Sequence, residues 1–395
     1  MIQLLLALAL LPLMLPAFSL LVLTVAALGV RKVPSTTVVS TRSAPRVAVL
    51  VPAHNESVHL LPTIACLQAQ LRPGDRLVVV ADNCIDDTAA LGREAGAFVI
   101  ERHDDTARGK GYALAFGVDY LRADPPDVVM VVDADCVVSP GAVAAIAHDC
   151  HETGHPVQML NLMSADEGAG LRMRVLEFAM RVKNLVRPLG SYRLGHACHL
   201  MGTGMALPWS LMSTAKLATG HITEDMKLGI ELTQAGFAPR FLVDVRVSSA
   251  FVTDTGVARV QKSRWEHGHL ATITEELPGL LRSAVTTLDP ALIVLAMDLM
   301  IPPVAFYFLT IFAILALAIV AALVWPVFVA AAVLAAIGTA CFALAVGLAW
   351  FYFGRQLLSA RELLATPLYA LWKLPVYVAY FLKKRSGWTR TKRKV

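Results

Sequence analysis

Apolar and polar positions divide the chain into contrasting stretches. Residues 1–30 carry no charged side chain, and residues 290–353 carry only Asp298. Between them, roughly 45–285 alternates short apolar runs with polar turns. There, 46–51 reads as a strand stopped by Pro52, followed by a polar turn and a helix to about Gln70. Further strands are predicted at 76–81, 97–100 and 128–132, with helices from about Asp86 and from Arg108 to Leu121. Strands alternating with helices at this spacing predict a mostly parallel sheet with helices on both faces. In such sheets ligands bind outside the carboxyl ends of the strands. Asn55/Glu56, Asp82 and Asp133/Asp135 all fall at those ends.

A membrane span needs about 20 apolar residues. Ile2–Val30, Val304–Val324 and Val327–Phe353 meet that length. No basic residue precedes the first run, which is also too long for a signal-peptide core. Arg31, Lys32, Arg42 and Arg46 follow it and place the middle of the chain in the cytoplasm by the positive-inside rule. Three crossings return the basic tail, Lys383 to Lys394, to the same side. The proline-broken stretch 289–303 reads as an interfacial helix or the start of a span, and the stretch after Phe353 as helices in the headgroup plane. The expected organisation is a span at 1–30, a soluble domain at 45–285, spanning and interfacial helices at 286–382, and a tail at 383–395. The expected setting is a bacterial inner membrane.

The net charge of +5 is concentrated near the membrane-flanking ends, which points to membrane lipid as a partner and not to nucleic acid. The six cysteines form no Cys-x-x-Cys pair and are expected to stay reduced. His196, His199, His221, His267 and His269 lack zinc-ligand spacing. Arg172, Arg174, Arg181, Lys183 and Arg187, set among apolar residues of 170–189, form a basic amphipathic helix. It suits a membrane surface, an anionic acceptor, or a solvated face over a core stripe.

The candidate chemistry starts at Asp133 and Asp135. Alternation along an extended chain points residues i and i+2 the same way, and two carboxylates so close repel unless a cation lies between them. Oxygen ligands suit Mg²⁺ or Mn²⁺ with a diphosphate; a solvated turn is the plainer reading. Lys110, between Gly109 and Gly111 at a helix start, is a phosphate contact or a loop lysine. Thr223 reads as the N-cap of a helix carrying Glu224 and Asp225 in its first turn, where the dipole favours the ionised form. Gln261, Arg264 and Trp265, at i, i+3 and i+4, share one helix face.

Val51-Pro52-Ala53-His54-Asn55-Glu56, Ala81-Asp82-Asn83-Cys84-Ile85-Asp86-Asp87-Thr88, Gly109-Lys110-Gly111 and Asp133-Ala134-Asp135 resemble the nucleotide-sugar half of the family 2 inverting glycosyltransferases. Gly202-Thr203-Gly204-Met205, Thr223-Glu224-Asp225 and Gln261-Lys262-Ser263-Arg264-Trp265 resemble the acceptor half of membrane-bound members such as cellulose and hyaluronan synthases and ceramide glucosyltransferase. Ala81 stands where the family often has an acid, and His54 where it often has an aromatic residue. The resemblance implies a GT-A fold, an α/β nucleotide-diphospho-sugar transferase-like sheet, here with transmembrane helices at both ends. It implies a UDP-linked donor held by Ala53, Glu56, Asp82, Lys110 and Asp133, and a metal held by Asp135 with Asp133. It further implies that Asp225, beside Glu224, is the general base, and that Gln261, Arg264 and Trp265 meet acceptor and diphosphate. The acceptor is expected to be lipid-linked or a polysaccharide. A polyprenyl phosphate acceptor, which needs no base, and a non-catalytic nucleotide-binding subunit of an envelope complex are the alternatives.

Overall fold

The computed structural model describes residues 2–29, 44–219, 223–251 and 255–372. The expectations for Arg31, Lys32, Arg42, His221 and the tail from Lys383 lie outside the described residues. The chain forms two compact units. One comprises the described parts of Arg31–Ser164 and His196–Ala258, the other those of Met1–Val30, Ala165–Gly195 and Arg259–Ser386.

The first unit is built on an eight-stranded sheet of order β3-β2-β1-β4-β7-β6-β8-β5. The strands are β1 Val47–Ala53, β2 Arg76–Asp82, β3 Phe98–Arg102, β4 Val128–Val131, β5 Val137–Val138, β6 Val157–Ser164, β7 Met205–Pro208 and β8 Arg240–Ala250. Strands β3, β2, β1 and β4 run parallel, as strand–helix alternation predicts. Strand β7 is antiparallel to both neighbours, and β6 pairs parallel with β8. Along β1 the side chains alternate between two cores. Val47, Val49 and Val51 join Leu60, Ile64 and Ile146; Ala48 and Leu50 join Leu114, Val118 and Leu228. Both faces are covered, which is why the central strands read as unbroken apolar runs.

The helices, numbered along the chain, begin with α1 Ile2–Leu28 in the second unit and continue in the first with α2 Leu60–Gln68, α3 Thr88–Glu94, α4 Lys110–Leu121 and α5 Ala142–Thr153. The polar turn after β1 ends in a 3-10 turn, Ser57–His59, which leads into the expected helix. Helix α3 begins at Thr88, whose N–H is capped by the Asp86 carboxylate at 3.1 Å. The chain then leaves the sheet for α6 Leu171–Arg181 and α7 Arg187–Gly195, and returns for α8 Trp209–Met212 and α9 Glu224–Gln234.

The second unit is completed by α10 Thr255–Thr287, α11 Pro290–Leu299, α12 Val304–Val324, α13 Val329–Ala349 and α14 Ala360–Trp372. Three of its helical stretches, Leu5–Leu28, Val304–Val324 and Pro326–Gly354, are long and apolar enough to cross a membrane. The stretch 289–303 forms α11, a separate ten-residue helix capped by Asp289, too short to span and largely buried. The expected 45–285 domain is interrupted, because 165–195 packs with these apolar helices. At Gly190 a side chain would collide with the Leu23 carbonyl of α1. Arg187 donates to the Asp298 carboxylate at 2.6 Å and to its carbonyl at 2.7 Å, and both side chains are buried. The basic amphipathic stretch is broken by a π turn, Val182–Val186. Its Arg174 binds Glu362 and the Leu357 carbonyl, and Arg181 binds the Phe353 carbonyl at 3.2 Å.

Candidate active site

The Asp133–Cys136 turn leaves the sheet where β4 ends. Asp133 and Asp135 are half-buried, whereas Ala134 and Cys136 are buried in the core, an in-and-out pattern produced by a turn and not by the extended chain expected there. Three contacts fix the turn. The Asp133 N–H donates to Thr203 Oγ1 at 3.0 Å, the buried Thr63 hydroxyl donates to the Ala134 carbonyl at 2.8 Å, and the Cys136 N–H donates to the Asp133 carbonyl at 3.1 Å. Donor atoms of Asp133, Asp135 and Cys136 lie within 4.8 Å of one another. Burial pushes the Cys136 thiol far up, with the two carboxylates adding to it. The protonated thiol donates to Asp135 Oδ1 at 3.6 Å. The atoms these residues could offer a cation are therefore carboxylate oxygens, a donor set that fits Mg²⁺ or Mn²⁺.

Lys110 opens α4 and reaches across the turn. Its Nζ donates to Asp133 Oδ1 and, at 2.7 Å, to the Gly202 carbonyl. Gly202 has φ +78°, and a Cβ built there would lie 3.0 Å from Asp225 Oδ2 and 3.2 Å from Lys110 Nζ. Only glycine combines that backbone with that gap. Asp133, Lys110, Gly202 and Asp225 thus lie side by side. Asp225 arrives on the first turn of α9, whose Met226, Leu228, Ile230 and Leu232 are buried. Thr223 precedes the helix, but its side chain makes no capping bond.

The charges are mutually dependent. Burial works against the Lys110 ammonium, but Asp133, Glu224 and Asp225 outweigh it and hold the group above its ordinary pKa. Burial and then the Asp225 charge push Glu224 up to about 7, against the pull of Lys110. Two adjacent acids in one buried patch cannot both ionise easily.

At the other expected contacts the picture is mixed. Ala53 is buried at the end of β1. Glu56 is half-buried, and its N–H donates to Thr88 Oγ1 at 2.9 Å. Asp82 is buried against Arg102, Nη1 to Oδ1 at 2.7 Å, and the same oxygen accepts from Asn83 at 3.0 Å. Arg102 also binds Asp104 at 2.9 Å and lies over the Tyr112 ring at 5.6 Å. Arg264 and Trp265 are half-buried on α10, in the other unit; the side chain of Gln261 lies outside the described residues. Arg102 and Thr63 carry no signal in the sequence, because their roles depend on partners 20 and 71 residues away; Thr203 stood in the Gly202–Met205 motif, but its bond to the Asp133 N–H, 70 residues away, shows only in the fold.

A family model described as glycosyltransferase like family 2 matches residues 45–268, more than half of the chain. The chain belongs to that family. A solved structure, the mannosyltransferase PcManGT from Pyrobaculum calidifontis in complex with GDP-Man and Mn²⁺, superposes with a TM-score of 0.56 over 89% of this chain and 100% of that one. At 17% identity the likeness speaks for the GT-A fold alone. The probable glycosyltransferase YdaM of Bacillus subtilis (strain 168) is 35% identical over 99 residues, 23% of each chain. This chain thus matches about a quarter of the length of that curated relative. Family membership places the acids of the Asp133 turn and of α9 in a glycosyltransferase scaffold.

Proposed function

We propose that the protein is a membrane-bound inverting glycosyltransferase that moves a sugar from a nucleotide-diphospho-sugar to a hydroxyl of a lipid-linked or polysaccharide acceptor. The observation that carries this reading is the meeting of Asp133 and Asp225 across Gly202 and Lys110, with Asp135 on the same turn. Displacement at an anomeric carbon must neutralise a leaving diphosphate and remove the acceptor's proton. A divalent cation bound by Asp135 with Asp133 supplies Lewis-acid charge at the diphosphate. Lys110, held in its charged form, adds positive charge on the same side. Asp225 takes the hydroxyl proton as general base, and single displacement of an α-linked sugar leaves a β-linkage. Arg264 suits a diphosphate oxygen pair because its fork binds two oxygens at once, and Trp265 offers a sugar-stacking face. The three long apolar helices support insertion in a membrane, and Arg31, Lys32, Arg42 and Arg46 support a cytoplasmic catalytic unit.

The test is nucleotide release from UDP- and GDP-sugars by the purified full-length protein with Mn²⁺ or Mg²⁺ and a membrane extract. Asp135→Asn and Asp225→Asn are expected to abolish acceptor-dependent release. Full turnover by Asp225→Asn on a polyprenyl phosphate would instead favour the acceptor that needs no base. Nucleotide binding without turnover under all conditions would leave a binding subunit.

A further inference from the structure

Gln158 is the second residue of β6 and has no exposed surface. A buried amide must satisfy two N–H groups and a carbonyl inside the protein. Its Nε2 donates to the main-chain carbonyls of Met159 at 2.9 Å, Thr203 at 2.9 Å and Gly204 at 3.2 Å. Its Oε1 accepts from the Met201 N–H at 2.8 Å. The reversed amide would aim an oxygen at three carbonyls, so the network fixes its orientation. One side chain therefore binds Met201, Thr203 and Gly204, on both sides of Gly202. This stretch has no regular structure of its own, and both of its glycines are left-handed. The amide supplies bonds that a sheet ladder would otherwise provide.

The same stretch joins the two halves of the candidate site. The Gly202 carbonyl accepts from Lys110, Gly202 lies against the Asp225 carboxylate, and Thr203 Oγ1 accepts from the Asp133 N–H. Gly204 is tied to β4 and β6, its N–H donating to the Val131 carbonyl at 2.9 Å and its carbonyl accepting from the Met159 N–H at 2.8 Å. The geometry points to Gln158 as a positioning residue, whose amide sets the 201–204 loop so that Lys110, Asp133 and Asp225 keep their spacing. Its catalytic consequence rests on the proposed glycosyl transfer; its hold on the loop does not. Partners of this outer kind cost about 10–100-fold in activity when removed, because small displacements of reacting groups are expensive.

The experiment compares the full-length wild-type protein with Gln158→Met, which removes all four bonds at similar volume, and Gln158→Glu, which keeps the acceptor for Met201 and loses the donors. Backbone hydrogen exchange is read for 201–204 and for β1 and β4. In the wild type the Met201 and Gly204 N–H groups are expected to exchange as slowly as those of β4. In Gln158→Met, exchange at 201–204 rises while β1 and β4 are unchanged. Donor hydrolysis by both variants is expected to lose about 10–100-fold in kcat, with the KM for nucleotide-sugar within about threefold. Fast exchange at Met201 in the wild type overturns the proposal, as does exchange rising across the whole sheet, or an unchanged kcat in both variants. If both variants fail to fold, the wild-type exchange rates decide. If the wild type turns over no donor, the proposed function fails while the exchange comparison still judges Gln158.

Discussion

Glu224 and Asp225 are adjacent acids whose ionisation is coupled through burial and through Lys110. Glu224 is held at about 7, above the 4.5 usual for its type. The folded protein therefore binds this proton more tightly than the unfolded chain does. The stabilisation is complete below about 4.5 and is lost as pH rises through about 7. Activity that depends on a fully ionised acid pair moves the other way, rising through about 7. Glu224→Gln should flatten that part of the stability profile and remove the rising limb near 7 from the rate profile, both measurable between pH 5 and 8. The i, i+2 pair Asp133/Asp135 was legible as two acids just past a buried strand, but a turn closed by the Cys136 N–H on the Asp133 carbonyl replaces the expected extended alternation. The shift on Glu224 was not legible, since it comes first from burial in the fold, with the Asp225 charge adding to it and Lys110, more than a hundred residues earlier, opposing it. Gln158 was equally hidden. It sits in an apolar run, Val157-Gln158-Met159-Leu160, and only the fold reveals what its amide binds.

Among the elements, α7 and α11 are joined by a buried ion pair. Asp298 was conspicuous as the sole charge in 290–353, but its partner Arg187 lies 111 residues away in a stretch read as a basic amphipathic helix. Losing one member leaves the other buried and uncompensated, which costs about 3–5 kcal/mol. Asp298→Ala should therefore lower the Tm of the detergent-purified protein markedly. The double variant Arg187→Met with Asp298→Leu should recover most of that loss, because apolar replacements leave no orphaned charge. The π turn at Val182–Val186 was invisible because one extra residue in a helical turn hardly disturbs the apolar period. Strand β7 was missed for another reason: it has four residues and follows directly on the two left-handed glycines Gly202 and Gly204.

In the molecule as a whole, the parallel direction of β1 to β4 followed from alternating strands and helices, although their order β3-β2-β1-β4 did not, and β7, β6, β8 and β5 gave no such rhythm. The missing half is also discontinuous. Strand β6 lies between β7 and β8, and both belong to the polypeptide beyond His196. During synthesis, the nascent chain finishes β6 and makes α6 and α7 before either sheet neighbour of β6 has left the ribosome. A fragment ending at Ser164 would expose both edges of β6, and open edges recruit other chains. Such a fragment, which keeps the apolar α1, should aggregate when extracted in detergent, whereas the full chain should stay dispersed under the same conditions. The excursion through 165–195 thus leaves the sheet encoded in two separated stretches of the gene, so any continuous piece that holds all eight strands carries a passage belonging to the other unit.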